Sequence, residues 1–139
     1  METTLVPYLN FDGQTAEAMK FYQSILGGEL NIQTFAEAGM ADKPEIADMV
    51  MHAHLKNEAL NIMASDTNPD HSPPLAAGNN VNLSLNGSDE AKLTQVFNRL
   101  AAGGTVDMPL EKQFWGDTFG MLTDKFGIHW MVNISPPQQ

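Results

Sequence analysis

Two histidines, His52 and His54, are the residues whose type and spacing point most directly to chemistry. They stand two positions apart in a run whose apolar residues alternate as in a β-strand, so both imidazoles would lie on one face of a sheet. Imidazole can bind a divalent metal ion, exchange protons or hydrogen-bond to a ligand. Asp48 shares the alternation, but two histidines alone hold a metal ion poorly. We therefore expect a polar pocket or an interface here, with a divalent metal site at His52 and His54 as the alternative.

The other strands predicted from the sequence carry a mixed set of side chains on the same face. Alternation assigns to this open face Val6, Tyr8 and Asn10; Asp48, Val50, His52 and His54; Asn61, Met63 and Ser65; Asn80, Asn82 and Ser84; and His129, Met131 and Asn133. Amides, hydroxyls, imidazoles and flexible methionines together are typical of a small-molecule pocket. The alternative is that a second sheet or a partner subunit covers the face. We expect a ligand to contact Tyr8, His52, His54, Met63, Asn82, Trp115 and Met131.

The opposite face of the same strands is predicted to form the core under the helices. Its members are Leu5, Leu9 and Phe11; Met49, Met51, Ala53 and Leu55; Leu60, Ile62 and Ala64; Val81, Leu83 and Leu85; and Ile128, Trp130, Val132 and Ile134. Since Trp130 has this parity, we expect it to be structural. Trp115, which stands in a Trp-Gly-Asp turn, could instead form a wall of the pocket.

The elements that must position these residues form an internal repeat. Each copy has a strand, a helical stretch that stops at Gly-Gly, and three further strands, so the predicted order is β-α-β-β-β twice. The predicted strands are 4–11, 29–35, 49–55 and 59–64, then 81–85, 105–110, 118–123 and 128–134. Ser88 is the predicted N-cap of the second helix, and 38–45 and 65–79 are predicted loops. The chain is then a single α+β domain, 1–139, with units at about 1–66 and 80–139 and a linker at about 67–79.

Composition narrows the classes of function. The 139 residues contain no cysteine, which excludes disulfides and thiolate chemistry, and 17 acidic against 7 basic residues give a net charge of -10. That charge disfavours nucleic acid and anionic membranes as partners. We expect a cytoplasmic protein, because Glu2 stands where a signal peptide would carry a basic residue and no apolar run approaches the roughly 20 residues of a membrane span. No dinucleotide-binding, phosphate-loop or nucleophile-elbow motif is present.

Several motifs in order along the chain carry a family resemblance. They are Val6-Pro7-Tyr8-Leu9-Asn10-Phe11, Met51-His52-Ala53-His54-Leu55, Ile62-Met63-Ala64-Ser65-Asp66, Phe114-Trp115-Gly116-Asp117-Thr118-Phe119-Gly120, Thr123-Asp124-Lys125-Phe126-Gly127 and Trp130-Met131. Together they resemble the PhnB-like branch of the vicinal oxygen chelate superfamily, which holds glyoxalase I, bleomycin-resistance proteins and extradiol dioxygenases. The resemblance implies a glyoxalase-like fold, in which two βαβββ repeats form curved mixed sheets around a cup-shaped cavity, and a homodimer.

The resemblance also implies where a metal would be held, and the sequence departs from that pattern. Superfamily enzymes bind a divalent ion through His or Glu on four strands, whereas the matching positions here are Val6 or Tyr8, Asn61 or Met63, Asn80, and Met131. These residues are poor ligands for a divalent ion, so we expect no cofactor. Whether the protein is an enzyme stays open.

Three functions follow from this departure. The favoured one is a cup that binds a small molecule without a metal. The alternatives are a divalent-metal-dependent lyase, isomerase or dioxygenase that uses His52 and His54, and antibiotic or toxin sequestration of the bleomycin-resistance type. Some relatives are named demethylubiquinone methyltransferase, but we recognise no methyl-donor motif in the sequence.

Overall fold

The computed structural model describes residues 3–68 and 74–137, and it divides into two compact units, Met1–Ala76 and Ala77–Gln139. Each unit contains a four-stranded mixed sheet and a 12-residue helix. The predicted α+β fold with two βαβββ repeats is confirmed. Residues 69–73 of the predicted loop 65–79, among them the histidine His71, lie outside the described residues. Within the described ranges, neither helix is long and apolar enough to cross a bilayer.

The first unit has one helix against a sheet with strand order β1-β4-β3-β2, in which β1 runs parallel to β4 and the other pairs are antiparallel. Its elements are β1 (Tyr8–Phe11), α1 (Thr15–Leu26), β2 (Glu29–Thr34), a short 3-10 turn (Pro44–Ile46), β3 (Val50–Lys56) and β4 (Asn61–Asp66). Ala18, Met19 and Tyr22 recur at helical spacing and are fully buried. The helix thus covers one face of the sheet and leaves the other face open.

The second unit repeats this arrangement with strand order β5-β8-β7-β6. Its elements are β5 (Leu83–Gly87), α2 (Glu90–Ala101), β6 (Thr105–Lys112), β7 (Thr118–Thr123) and β8 (His129–Ile134). Val96, Phe97 and Leu100 form the buried stripe of α2. Trp130 is 1% exposed, which confirms its structural role.

Three predicted face assignments are wrong. Leu5 and Val81, expected in the core, are 96% and 68% exposed, because β1 and β5 begin only at Tyr8 and Leu83. Val50, expected on the open face, is buried at 3% exposure. The cause is a bulge: His52 pairs with Gln33 while Val50 pairs with the adjacent Thr34, so the extra residue between them reverses the face.

The start of α2 and the end of β4 also differ from the prediction. The N-cap of α2 is Asp89 rather than Ser88, since the Asp89 side chain accepts a hydrogen bond from the Lys92 amide. Ser65 and Asp66 belong to β4 and not to the predicted loop.

Asp66 and Asp124 are buried carboxylates, and each one links elements within its own unit. Asp66 Oδ1 accepts hydrogen bonds from the Thr15 amide and hydroxyl at 3.1 and 2.7 Å, and its Oδ2 accepts from the Val50 amide at 2.8 Å. It therefore joins the start of α1 to the start of β3. In the second unit, Asp124 accepts from the indole Nε1 of Trp130 at 2.9 Å and from two backbone amides of the following turn.

The turn after β2 is closed by reciprocal bonds between Thr34 and Glu37. The Thr34 amide donates to the Glu37 carboxylate, and the Glu37 amide donates to the Thr34 hydroxyl. The bond from the Thr34 amide is the main reason that the pKa of Glu37 lies below its ordinary value.

Candidate functional site

The open face of the first sheet brings together four of the predicted ligand-binding residues. Strand register sets Tyr8 opposite Met63 and Met63 opposite His54, in one row across β1, β4 and β3. His52 lies two positions from His54 on the same strand and face. We call this the histidine face and define it by Tyr8, His52, His54, Asn61 and Met63. All five side chains are at least partly accessible, and Tyr8 is 48% exposed.

The polar groups of the histidine face contact one another. The Tyr8 hydroxyl lies 3.5 Å from His52 Nδ1, at the outer limit of a hydrogen bond, and the two rings are 6.1 Å apart between centroids. The His52 and His54 ring centroids are 6.4 Å apart. His54 Nε2 is hydrogen-bonded to Asn61 Oδ1. Because an amide oxygen can only accept, the hydrogen of this bond belongs to Nε2 of His54.

The residues of the histidine face do not fit a metal centre. Within 3–68 and 74–137, no group of three or more His, Cys, Asp or Glu side chains lies close enough together to hold a metal ion. Asp48, the acid that shares the alternation with the histidines, is exposed and precedes β3, beyond the bulge. The face therefore offers two imidazoles without the third acidic or imidazole ligand of a stable site.

The open face of the second sheet is dominated by methionine. Met108, Met121 and Met131 are consecutive partners across β6, β7 and β8. Phe119 stands two positions before Met121 on β7 and shares its face. We call Met108, Phe119, Met121 and Met131 the methionine face. Three predicted site residues lie in this unit, Asn82, Trp115 and Met131, and of these Met131 belongs to the methionine face.

An aromatic pair extends from the methionine face. Trp115, which is 52% exposed, lies 6.4 Å from the Phe119 ring and makes an edge contact at 5.0 Å with Phe114. Phe114 is 96% exposed. Asn82, the remaining predicted residue, is half-buried before β5 and makes no hydrogen bond within the described part of the chain.

Hydrogen-bonded polar side chains lie at both ends of the methionine face, and the sequence did not predict either set of contacts. Thr123 donates its hydroxyl to Asp107 at 2.7 Å, while its oxygen lies 2.9 Å from His129 Nδ1. His129 Nε2 lies 3.0 Å from the carbonyl oxygen of Gly78, so this histidine has partners that its sequence context did not reveal. At the other end, Asn133 donates to the Asp117 carboxylate at 2.9 Å.

The second unit also contains a cleft that was not predicted. It has a volume of about 260 Å³ and lies where β5 and β8 end and α2 begins. Its charged and hydroxyl-bearing lining residues are Ser88, Glu90, Lys112, Thr118 and Ser135. None of these belongs to the methionine face.

Comparison with known proteins identifies relatives across the whole fold. The model of the family described as 3-demethylubiquinone-9 3-methyltransferase matches residues 3–133. Protein YjdN of Escherichia coli (strain K12) is 33% identical over 96% of this chain and 97% of its own length. The crystal structure of protein PA1353 from Pseudomonas aeruginosa superposes with a TM-score of 0.83 at 39% identity, covering 98% of this chain and 100% of the other.

Two further solved structures connect the fold to named groups. The PhnB protein from Bacillus cereus, described as a putative 3-demethylubiquinone-9 3-methyltransferase, superposes with a TM-score of 0.79 at 25% identity, and the match covers 96% of this chain and 100% of the other. A glyoxalase-related enzyme from Fulvimarina pelagi, at 16% identity and a TM-score of 0.65 over 97% of this chain and 89% of its own, shares the fold alone.

Proposed function

Because this chain belongs to the PhnB-like family of the vicinal oxygen chelate superfamily, whose family model is described as 3-demethylubiquinone-9 3-methyltransferase, we propose that it binds a small molecule on its open sheet faces without a metal ion. The observation that carries this proposal is the histidine face. Tyr8, His52, His54 and Met63 lie together there with accessible polar atoms, but no third acidic or imidazole ligand joins the two histidines among residues 3–68 and 74–137. A few polar groups on a partly apolar wall are typical of ligand recognition.

Binding fits these residues better than catalysis of the superfamily type. Superfamily enzymes use the metal to stabilise negative charge that develops on the substrate, and some other electrophile would have to replace it. On the histidine face, the candidates are neutral hydrogen-bond donors such as the Tyr8 hydroxyl. The methyltransferase description concerns the family and the Bacillus cereus protein, and we do not extend it to this chain's activity.

A second candidate function is sequestration of a planar or cationic compound. The exposed Phe114 and Trp115 pair favours it, since aromatic rings stack on planar ligands and attract cations. The net charge of -10 would raise the local concentration of a cation. Sequestration requires ligand binding without turnover.

Elemental analysis of untagged protein, purified without chelators and then incubated with zinc, nickel, iron or manganese, tests the absence of a metal. We expect no stoichiometric metal in the wild type and no difference in the His52→Ala, His54→Ala double variant. A control, His129→Asn, removes an imidazole that is not on the histidine face. Near-stoichiometric metal that is lost only in the double variant would refute the proposal and favour the metal-dependent alternative.

A ligand screen followed by Trp115 fluorescence tests binding beside the methionine face. We expect a ligand to change the emission of the wild type and a Trp115→Phe variant to lose most of that change, because Trp130 is buried. An unchanged ligand after prolonged incubation would favour sequestration over catalysis. The homodimer and the cytoplasmic location remain predictions from the sequence.

A further inference from the structure

The hydrogen bond between His54 and Asn61 fixes the polarity of His54. Asn61 Oδ1 accepts from His54 Nε2, so the hydrogen of the neutral ring is on Nε2. A neutral imidazole has one hydrogen on its two nitrogens, which leaves Nδ1 with an available lone pair. His54 is half-buried in β3, between Met63 on β4 and Asn31 on β2. The face thus contains a hydrogen-bond acceptor with a defined identity.

The neighbouring polar groups do not impose the same restriction. Tyr8 and His52 are separated by 3.5 Å, and the phenolic hydroxyl can either donate or accept. This pair can therefore adapt to either kind of ligand group. Further along β3, Lys56 lies opposite Glu29 in register, so that end of the sheet has one charge of each sign.

We propose that His54 is the acceptor that selects ligands on the histidine face, and that Asn61 is the residue that positions it. This rests on the proposed function and deepens it by naming a ligand class. The class is small molecules that carry an O–H or N–H group, since only a donor can satisfy the Nδ1 lone pair. A ligand with acceptors alone, such as an ether or a carboxylate, would leave the Nδ1 lone pair without a donor. It would also bring its own lone pairs next to that of Nδ1.

Nitrogen-15 NMR of the histidine side chains tests the fixed polarity directly. In the wild type, we expect His54 to show a protonated Nε2 and an unprotonated Nδ1. An Asn61→Asp variant retains an acceptor at the same place and should keep the hydrogen on Nε2. Asn31→Leu is the control, because Asn31 lies beside His54 in register but bonds to Glu29 instead. A wild-type His54 protonated on Nδ1 and not on Nε2 would refute the inference.

Three ring compounds of similar size test the ligand class: phenol with an O–H donor, anisole with the donor methylated, and benzoate with acceptors only. We expect phenol to shift the His54 Nδ1 resonance and to bind about five- to tenfold more tightly than anisole, the effect of one hydrogen bond. Benzoate should leave the resonance unchanged. In Asn61→Leu, where nothing holds the ring, the preference for phenol should fall severalfold, and Asn31→Leu should retain it.

The outcomes separate failure of the inference from failure of the proposed function. Equal binding of phenol and anisole at the histidine face, or a preference for benzoate, would overturn the inference and leave ligand binding intact. If no compound, in the probe set or in the screen, perturbs any residue of the histidine face, both proposals are wrong. If Asn61→Leu fails to fold, the nitrogen-15 spectrum of His54 in the wild type and the comparison of phenol with anisole still decide the inference.

Discussion

Substitution of Asp66 by Asn should destabilise the first unit by about 3 kcal/mol. The carboxylate is 6% exposed and accepts three hydrogen bonds, from the amide and hydroxyl of Thr15 and from the amide of Val50. A carboxamide has the same shape, but its NH₂ group must face at least one of these donors. Each bond to a charged group contributes roughly 1.5–3 kcal/mol, and a buried amide left without a partner costs about 1–3 kcal/mol.

Urea unfolding followed by far-UV circular dichroism measures this change, and native-state hydrogen exchange locates it. Amides at the starts of α1 and β3 should exchange fastest relative to wild type, because Asp66 joins these two points. Asp89→Asn is the matched control: Asn and Asp cap helices about equally well, so its effect should be within about 0.5 kcal/mol. A loss below about 1 kcal/mol in Asp66→Asn would show that the carboxylate does not link the elements as described.

Three further predictions concern other parts of the fold. Gly120→Ala should lower the stability of the protein by about 1–3 kcal/mol in thermal unfolding, because the new Cβ would lie 2.9 Å from the Phe97 ring of α2 and 3.0 Å from backbone atoms of β6. The control Gly78→Ala should have little effect, because its nearest contact would be at 3.5 Å. An NMR titration should place the pKa of Glu37 below its ordinary value. Thr34→Val retains the amide, which is the main cause, but removes the hydroxyl, so it should raise this pKa only part of the way. Because the folded-state pKa is the lower one, the contact stabilises the turn above the unfolded-state pKa, and this stabilisation is lost as pH falls through the folded-state pKa. His129→Phe should speed amide exchange around Gly78, and unchanged exchange would contradict a role in anchoring that segment.

The helices and the repeat could be predicted because local patterns determine them. The apolar spacing of α2 is continuous, and the Gly-Gly pairs mark where both helices stop. The face of Val50 could not be predicted in this way. Val50 and Met51 are both apolar, so the sequence pattern does not reveal the extra residue of the bulge. The bulge is visible only in the pairing of β3 with β2.

The polar partners were beyond sequence reasoning for a different reason. Asp66 is a residue type common in loops, and it is buried only because donors 51 and 16 positions away converge on it. The same holds for His54 and Asn61, which are set side by side by the register of β3 and β4. Sequence alternation placed both on the open face, but it does not report which side chains touch.

The methionine face makes the second sheet sensitive to oxidants. Conversion of a thioether to a sulfoxide replaces an apolar, flexible group with a polar and chiral one. Met108, at 42% exposure, is the most accessible member of the row and would react first, beside Met121 in register. The addition of a single oxygen atom would thus make this apolar surface more polar, and methionine sulfoxide reductases could reverse the change.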